Sequence, residues 1–467
     1  MIVNNSMDMR SRIEAGVANP NASPDCEAPT KNAKTSMSRR WALSGLGCAA
    51  ACVAAPYLAF AASESGINPV RASGGPTFDP GGPDAKLYGI EDGYPLPGFL
   101  RAVWEGNPWS PKYRVGAFSH YREIFRTARV PRASSPWSFK RGTVDLKFSY
   151  RFRGSESSLR DYLSRNPVTG LLVAKDDQIL FEHYQYGRND RHQMISQSMA
   201  KSITGLLVGL AVADCAIKSV DDTAGVYVPG LRGSEYGNTP IRDLLHMSSG
   251  VDFGEERDGG RDLDRLWIDM VLRRWPFNKG TVESIRQFNN RIAPTGTRFY
   301  YASIETDVLG LIVSHAVGKS LSNYLHERIW SQIGAEADAA WLVDADGFEV
   351  GHGFFNAVLR DYARLARLLA HDGTWQDKQI IPSQWMIDAT TVRPSDAHLS
   401  PGKATPDFGY GYQVWLLPGG RRQFALLGFK GQRICIDPTS KLTMVHTALE
   451  EGKEIWALWS SLVQQFG

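Results

Sequence analysis

Strand-like runs sit at both ends of the chain's second half, and a long helical stretch separates them. The early pair is "VTGLLVAKDDQILFEHYQYG" (168–187), two runs around the polar turn Lys175-Asp-Asp-Gln178, which predicts a hairpin. The late group is "YGYQVWLLP", "RQFALLG" and "QRICIDPTSKLTMVHTA", followed by a closing helix at "KEIWALWSSLVQQF". Between them, residues 203 to 400 read as mainly helical, with breaks at "VPGLRGSEYGNTP" and "IAPTGTR" and a Gly-stopped helix in "RDYARLARLLAHDGTW". Early strands, a helical middle and late strands suggest one domain whose sheet joins both chain ends. The expected fold is α/β (α+β): an antiparallel sheet built from both chain ends, with a helical subdomain beside it.

A chain of 467 residues, 43% hydrophobic and 22% charged, has ample material for such a core. Its formal charge of +3 is weak, and no Lys/Arg block carries interleaved aromatics, so nucleic acid is excluded as a partner. Residues 1–61 read as a leader. Arg39 and Arg40 precede an Ala/Gly/Cys-rich apolar stretch that ends in Ala59-Phe60-Ala61, the pattern of a twin-arginine export signal with a cleavage site. This implies the twin-arginine machinery as a partner and a periplasmic or secreted location. An uncut leader would serve as a membrane anchor. Residues 62–150, rich in Gly, Pro and Trp, form an extension expected to wrap the core, and 151–467 the main domain. Of five Cys, three fall in the leader. Cys215 and Cys435 are too few for a disulfide framework, so two free buried thiols are the default expectation.

Three clues carry chemistry. The first is "SQSMAKSITG" (196–205). Ser198 and Lys201 at i,i+3 share one helix face, and the apolar run Ile203, Leu206, Leu207, Leu210 suits a buried helix. Desolvation at the dry end of that helix favours a neutral lysine amine, which can accept the serine proton. The motif alone is weak. About one or two Ser-x-x-Lys are expected by chance in such a chain, and a second copy, Ser400-Pro-Gly-Lys403, lies in a loop. A solvated first turn of a core helix would look the same. The second clue is Tyr301-x-Ser303, also readable as a packed aromatic at a helix start, with Tyr300 as its neighbour. A Tyr301 hydroxyl meeting the lysine amine would relay a proton to a leaving group. The third is "FALLGFKGQRICIDP", where Gly428 and Gly431 permit close backbone approach or a tight turn. There the N–H groups of Ser198 and Phe429 could hold an oxyanion. No G-x-S-x-G or H-E-x-x-H is present, which sets aside an α/β-hydrolase elbow and a zinc hydrolase.

The order Ser-x-x-Lys, Tyr-x-Ser, Gly-rich late strand resembles the serine β-lactamase and penicillin-binding-protein superfamily. "PIRDLLHMSSGVDFGEE" (240–256) and "PTGTRFYYAS" (294–303) resemble segments of its class C-like branch, and the latter selects Tyr301 over Tyr300. Within that branch the chain is most similar to 6-aminohexanoate-dimer hydrolases and related serine hydrolases. The resemblance covers about residues 150–467. It implies Ser198 as nucleophile, Lys201 as general base, Tyr301 as proton relay, the Ser198 and Phe429 N–H groups as oxyanion hole, and Ser303, Gly428 and Gly431 as substrate-binding. It implies no metal or organic cofactor. Two positions depart from the pattern. Ser303 replaces the usual Asn and reaches less far. Leu426-Leu427-Gly428 replaces Lys-Thr-Gly, removing the groups that bind a β-lactam carboxylate, with Lys430 as a possible substitute charge. The implied activity is hydrolysis of a small amide or ester. The alternatives are a β-lactamase or D-Ala-D-Ala-type carboxypeptidase, a carboxylesterase, and a catalytically silent binding protein on the same fold.

Overall fold

The computed structural model describes residues 75–98, 109–141, 148–255, 261–272 and 279–467. The leader features, Arg39, Arg40 and Ala59-Phe60-Ala61, lie outside them. No helix among the described residues is long and apolar enough to cross a membrane.

The two chain ends do meet in one sheet. Val168–Lys175 turns through Asp176 and Asp177 into Gln178–Tyr184, with Lys175 opposite Gln178. The late strand Leu442–Ala448 lies antiparallel on the other side of Val168–Lys175, with Val445 facing Leu172. Beyond it come Gln432–Asp437, Phe424–Gly428, Trp415–Leu416 and Gly409–Tyr410 in antiparallel order. Two short strands, Thr77–Phe78 and Lys140–Arg141, add to Gln178–Tyr184 in parallel and complete a nine-stranded sheet.

Alternation along these strands makes two faces. Leu171, Val173, Met444 and Cys435 pack against Leu458, Trp459 and Leu462 of the closing helix Glu454–Phe466. Leu172, Ala174, Val445 and Ile434 belong to the larger core on the opposite face. That core also holds the helices Met199–Ala213, Ser303–Val317 and Leu359–Ala370.

The mainly helical middle contains strands that the sequence pattern does not show. Ala339–Leu342 and Phe355–Val358 join Thr127–Val130 and Gln193–Ile195 in a four-stranded sheet. Each is only three or four residues long, and their partners are distant in the chain. Propensity over so short a window carries little signal against pairing that long-range contacts decide. The expectation of two free thiols is corrected as well. Cys435 is free and buried, whereas Cys215 is disulfide-bonded.

Candidate active site

The last strand of the four-stranded sheet delivers the candidate nucleophile. After Gln193–Ile195, the Ser196 N–H donates to Phe355 O (2.7 Å), and the Ser196 hydroxyl accepts from Phe355 N–H (3.0 Å). Gln197 then takes a left-handed conformation (φ 48°), a strained state for a residue with a side chain. Ser198 follows as N-cap of the helix Met199–Ala213.

A serine at this position ordinarily spends its hydroxyl on capping. Here it makes no capping bond. The first helical N–H groups instead donate backward to Ser196 O, Gln197 O and Ser198 O. Ser198 Oγ is left for Lys201, whose Nζ lies 3.1 Å away. This is the feature that separates a reactive pair from an ordinary helix start.

Lys201 is buried, with 2% of its surface exposed. Its Nζ has two further partners, Ser303 Oγ at 2.9 Å and the backbone carbonyl of His352 at 3.0 Å. His352 is pinned by Asp307, which takes its Nδ1–H at 2.8 Å and its backbone N–H at 3.2 Å. Asp307 lies on the helix Ser303–Val317, which packs beside the serine helix. Gly351 permits the contact, because a Cβ there would sit 2.8 Å from Thr306 O. In the first turn of the same helix, burial pushes the carboxyl of Glu305 well above the usual range, and it accepts from the Ser249 hydroxyl at 2.6 Å.

Of the expected residues, Ser198, Ser303 and Tyr301 meet at Lys201, with one difference in contact. Tyr301 meets the lysine with its ring, whose centroid is 4.9 Å from Nζ, a cation–π distance. The ring stacks on Trp415 at 5.4 Å. Its hydroxyl makes no hydrogen bond among the described residues, so the direct hydroxyl–amine contact expected from the sequence is absent here. Tyr300 instead has the Arg298 guanidinium over its ring.

Gly428 ends the strand Phe424–Gly428 hard against the nucleophile's own chain. A Cβ at this position would lie 2.3 Å from Ser196 O and 3.0 Å from Gln197 Cβ, so only glycine fits without displacement. Phe429 is the next residue along the chain from that contact. Lys430 (φ 60°) and Gly431 (φ 82°) then turn the chain into Gln432–Asp437. The ammonium of Lys430 is 2.6 Å from Glu450, which also pairs with Arg114. Lys430 is therefore committed to a carboxylate of this chain, and the substitute-charge idea finds no support.

Sequence reading missed Glu255, His352 and Trp109. Glu255 holds Ser303, accepting its hydroxyl proton and, at 2.7 Å, its backbone N–H. A Glu pair after "SSGVDFG" and a His between glycines in "VGHGF" were the available signals. Trp109, from the extension, lies edge-on to Phe429 (6.3 Å) and tilted over Phe354 (6.4 Å). Trp267 also packs on Phe354, with ring centroids 4.9 Å apart.

A half-buried serine paired with a buried lysine at a helix head, beside the end of an antiparallel strand, is the arrangement of a serine hydrolase of the β-lactamase and penicillin-binding-protein type. The model of the Beta-lactamase family matches residues 159–452, and the chain belongs to that family. It is 26% identical over 294 residues to the 6-aminohexanoate-dimer hydrolase of Paenarthrobacter ureafaciens, covering 62% of this chain and 74% of that protein. A Bacillus anthracis structure, provisionally named a 6-aminohexanoate-dimer hydrolase, superposes with a TM-score of 0.69 at 26% identity, covering 77% of this chain and 95% of that one. An Escherichia coli K12 protein, provisionally named a D-alanyl-D-alanine carboxypeptidase, is 25% identical over 191 residues, which cover 36% of this chain and 42% of that protein.

Proposed function

We propose that this serine hydrolase cleaves a small amide or ester through an acyl-enzyme on Ser198. The observation that carries the reading is the uncapped Ser198 hydroxyl at 3.1 Å from a buried Lys201 amine. Ser198 Oγ bonds to the substrate carbonyl carbon as its proton passes to Lys201 Nζ. The N–H groups of Ser198 and Phe429 receive the oxyanion. The bond to the leaving amine or alcohol breaks as that group takes up a proton through Tyr301. Water then adds to the acyl carbon, gives a proton back through the same groups, and releases the acid and Ser198. Ser303, Gly428 and Gly431 shape the substrate's seat. The stacked Trp415 and Tyr301 rings, the latter in contact with the lysine, suit an apolar acyl or amine chain. Similarity to the 6-aminohexanoate-dimer hydrolase favours an amide over an ester.

A second reading, a D-alanyl-D-alanine-type peptidase or β-lactamase, has the Escherichia coli similarity in its favour. Against it, Leu426 and Leu427 offer no carboxylate-binding group, and Lys430 is paired with Glu450. Export by the twin-arginine leader belongs to this proposal too, and cell fractionation with antibody detection checks it.

The deciding assay sets p-nitrophenyl esters, 6-aminohexanoate dimer and nitrocefin side by side, with Ser198→Ala as control. The expected outcome is ester and dimer turnover that falls at least about 10³-fold in the variant. Equal rates for both proteins would remove Ser198 from the mechanism. Fast nitrocefin hydrolysis would favour the second reading.

A further inference from the structure

Lys201 can act as a base toward Ser198 only if its lone pair points there. A neutral amine has two N–H donors and one lone pair, and Nζ has three partners: His352 O, Ser303 Oγ and Ser198 Oγ. The carbonyl of His352 accepts and nothing else, so it takes one N–H. Ser303 is ambiguous by itself, since a hydroxyl both donates and accepts. Were its proton turned toward Lys201, it would occupy the lone pair and compete with Ser198.

Glu255 removes the ambiguity. Its Oε1 takes the Ser303 hydroxyl proton, and its Oε2 takes the Ser303 backbone N–H at 2.7 Å. A carboxylate only accepts, so the hydroxyl proton is directed to Glu255 and the Ser303 oxygen can only accept from Lys201. With both N–H donors assigned, the lone pair is left for Ser198. Once Lys201 has taken the serine proton, the same three partners accept the three N–H bonds of the ammonium. The network therefore satisfies both protonation states of the lysine.

We propose that Glu255 is a positioning residue that acts through Ser303 to aim the Lys201 lone pair at Ser198. This assignment rests on the hydrolase reading above. It also accounts for Ser303 at the position where the resembled family carries Asn: the shorter side chain completes the network because a carboxylate stands behind it.

The test is a double-mutant cycle on the full chain. It is read by p-nitrophenyl ester turnover and by the rate at which a fluorophosphonate labels Ser198. Glu255→Gln is expected to lower kcat and the labelling rate together by about 10- to 100-fold, with KM within about threefold, because aim is lost and binding is not. Glu255→Asp, which keeps the charge but withdraws the contact by one methylene, is expected to lose rate as well. In a Ser303→Ala background, Glu255→Gln should add nothing further, since its route has been removed. Wild-type rates in folded Glu255→Gln would overturn the proposal. So would a full multiplicative loss in the Ser303→Ala background. Should Glu255→Gln not fold, Ser303→Ala decides alone, and a wild-type rate there overturns the proposal equally. Failure of the hydrolase reading looks different, because wild type and Ser198→Ala would then behave alike before any Glu255 variant is compared.

Discussion

At the scale of single residues, the site depends on what each side chain is prevented from doing. Ser198 is relieved of capping, Lys201 is enclosed by three hydrogen-bond partners, and Tyr301 is held by its ring while its hydroxyl has no hydrogen bond among the described residues. Tyr301→Phe isolates that last property. It keeps the stacking on Trp415 and the ring over Lys201 and deletes only the oxygen. The expected result is a kcat about 10²- to 10³-fold lower, with an unchanged Tm by differential scanning calorimetry. A comparable loss in thermal stability would show that the hydroxyl serves packing instead. Residue identities at the site were legible in the sequence for Ser198, Lys201, Tyr301 and Ser303. Glu255 and His352 were not, because their importance lies in which lone pairs and protons they fix, and such geometry has no spacing rule.

At the scale of elements, buried ion pairs lock the short strands and helices to each other. Asp361, in the first turn of the helix Leu359–Ala370, is fully buried and pairs with Arg364 at 2.7 Å. It also accepts the backbone N–H groups of Glu336 (2.8 Å) and Ala337 (3.0 Å), just before the strand Ala339–Leu342. Asp361→Ala leaves two N–H groups without their acceptor and a buried guanidinium with one anion fewer. It is expected to cost about 3–5 kcal/mol in urea unfolding. Legibility at this scale split by length. The serine helix and the hairpin 168–184 could be read because each element runs for seven residues or more. The strand Phe355–Val358, which braces Ser196, could not, because four residues carry no period.

At the scale of the whole molecule, the core encloses histidines that the fold keeps neutral. His446 is buried between the carbonyl of Gly431 (2.7 Å) and the Tyr162 hydroxyl (2.9 Å), and burial lowers its pKa to about 3. Its unfolded value is near 6.5. As pH falls below 6.5, the unfolded chain binds a proton that the folded one refuses. Stability present above that pH is therefore lost progressively toward pH 3. Between pH 6.5 and 5 the loss from this one group is about 2 kcal/mol. His246, lowered to about 3 mainly by burial, acts in the same direction. Asp361, raised to about 6 by burial, acts oppositely and returns about 1 kcal/mol over the same interval. Urea unfolding at both pH values checks the assignment. His446→Gln should lower stability at pH 7 yet flatten its pH dependence by about 2 kcal/mol, and an unchanged slope would place the titration elsewhere.

The sequence by itself determined the sheet that joins both chain ends, the buried helix that starts at Ser198, and the order of the three chemical segments. These follow from hydrophobic periodicity and residue type, which are local properties of a chain. Tertiary structure alone decided that the Ser198 hydroxyl makes no capping bond, that Tyr301 offers its ring to Lys201, and that Lys430 belongs to Glu450. It also placed Trp109 of the extension against Phe429 and set Glu255 behind Ser303. Each of these is a hydrogen-bond or packing choice among several partners equally available to the residue type. Only the meeting of segments tens to hundreds of residues apart selects one.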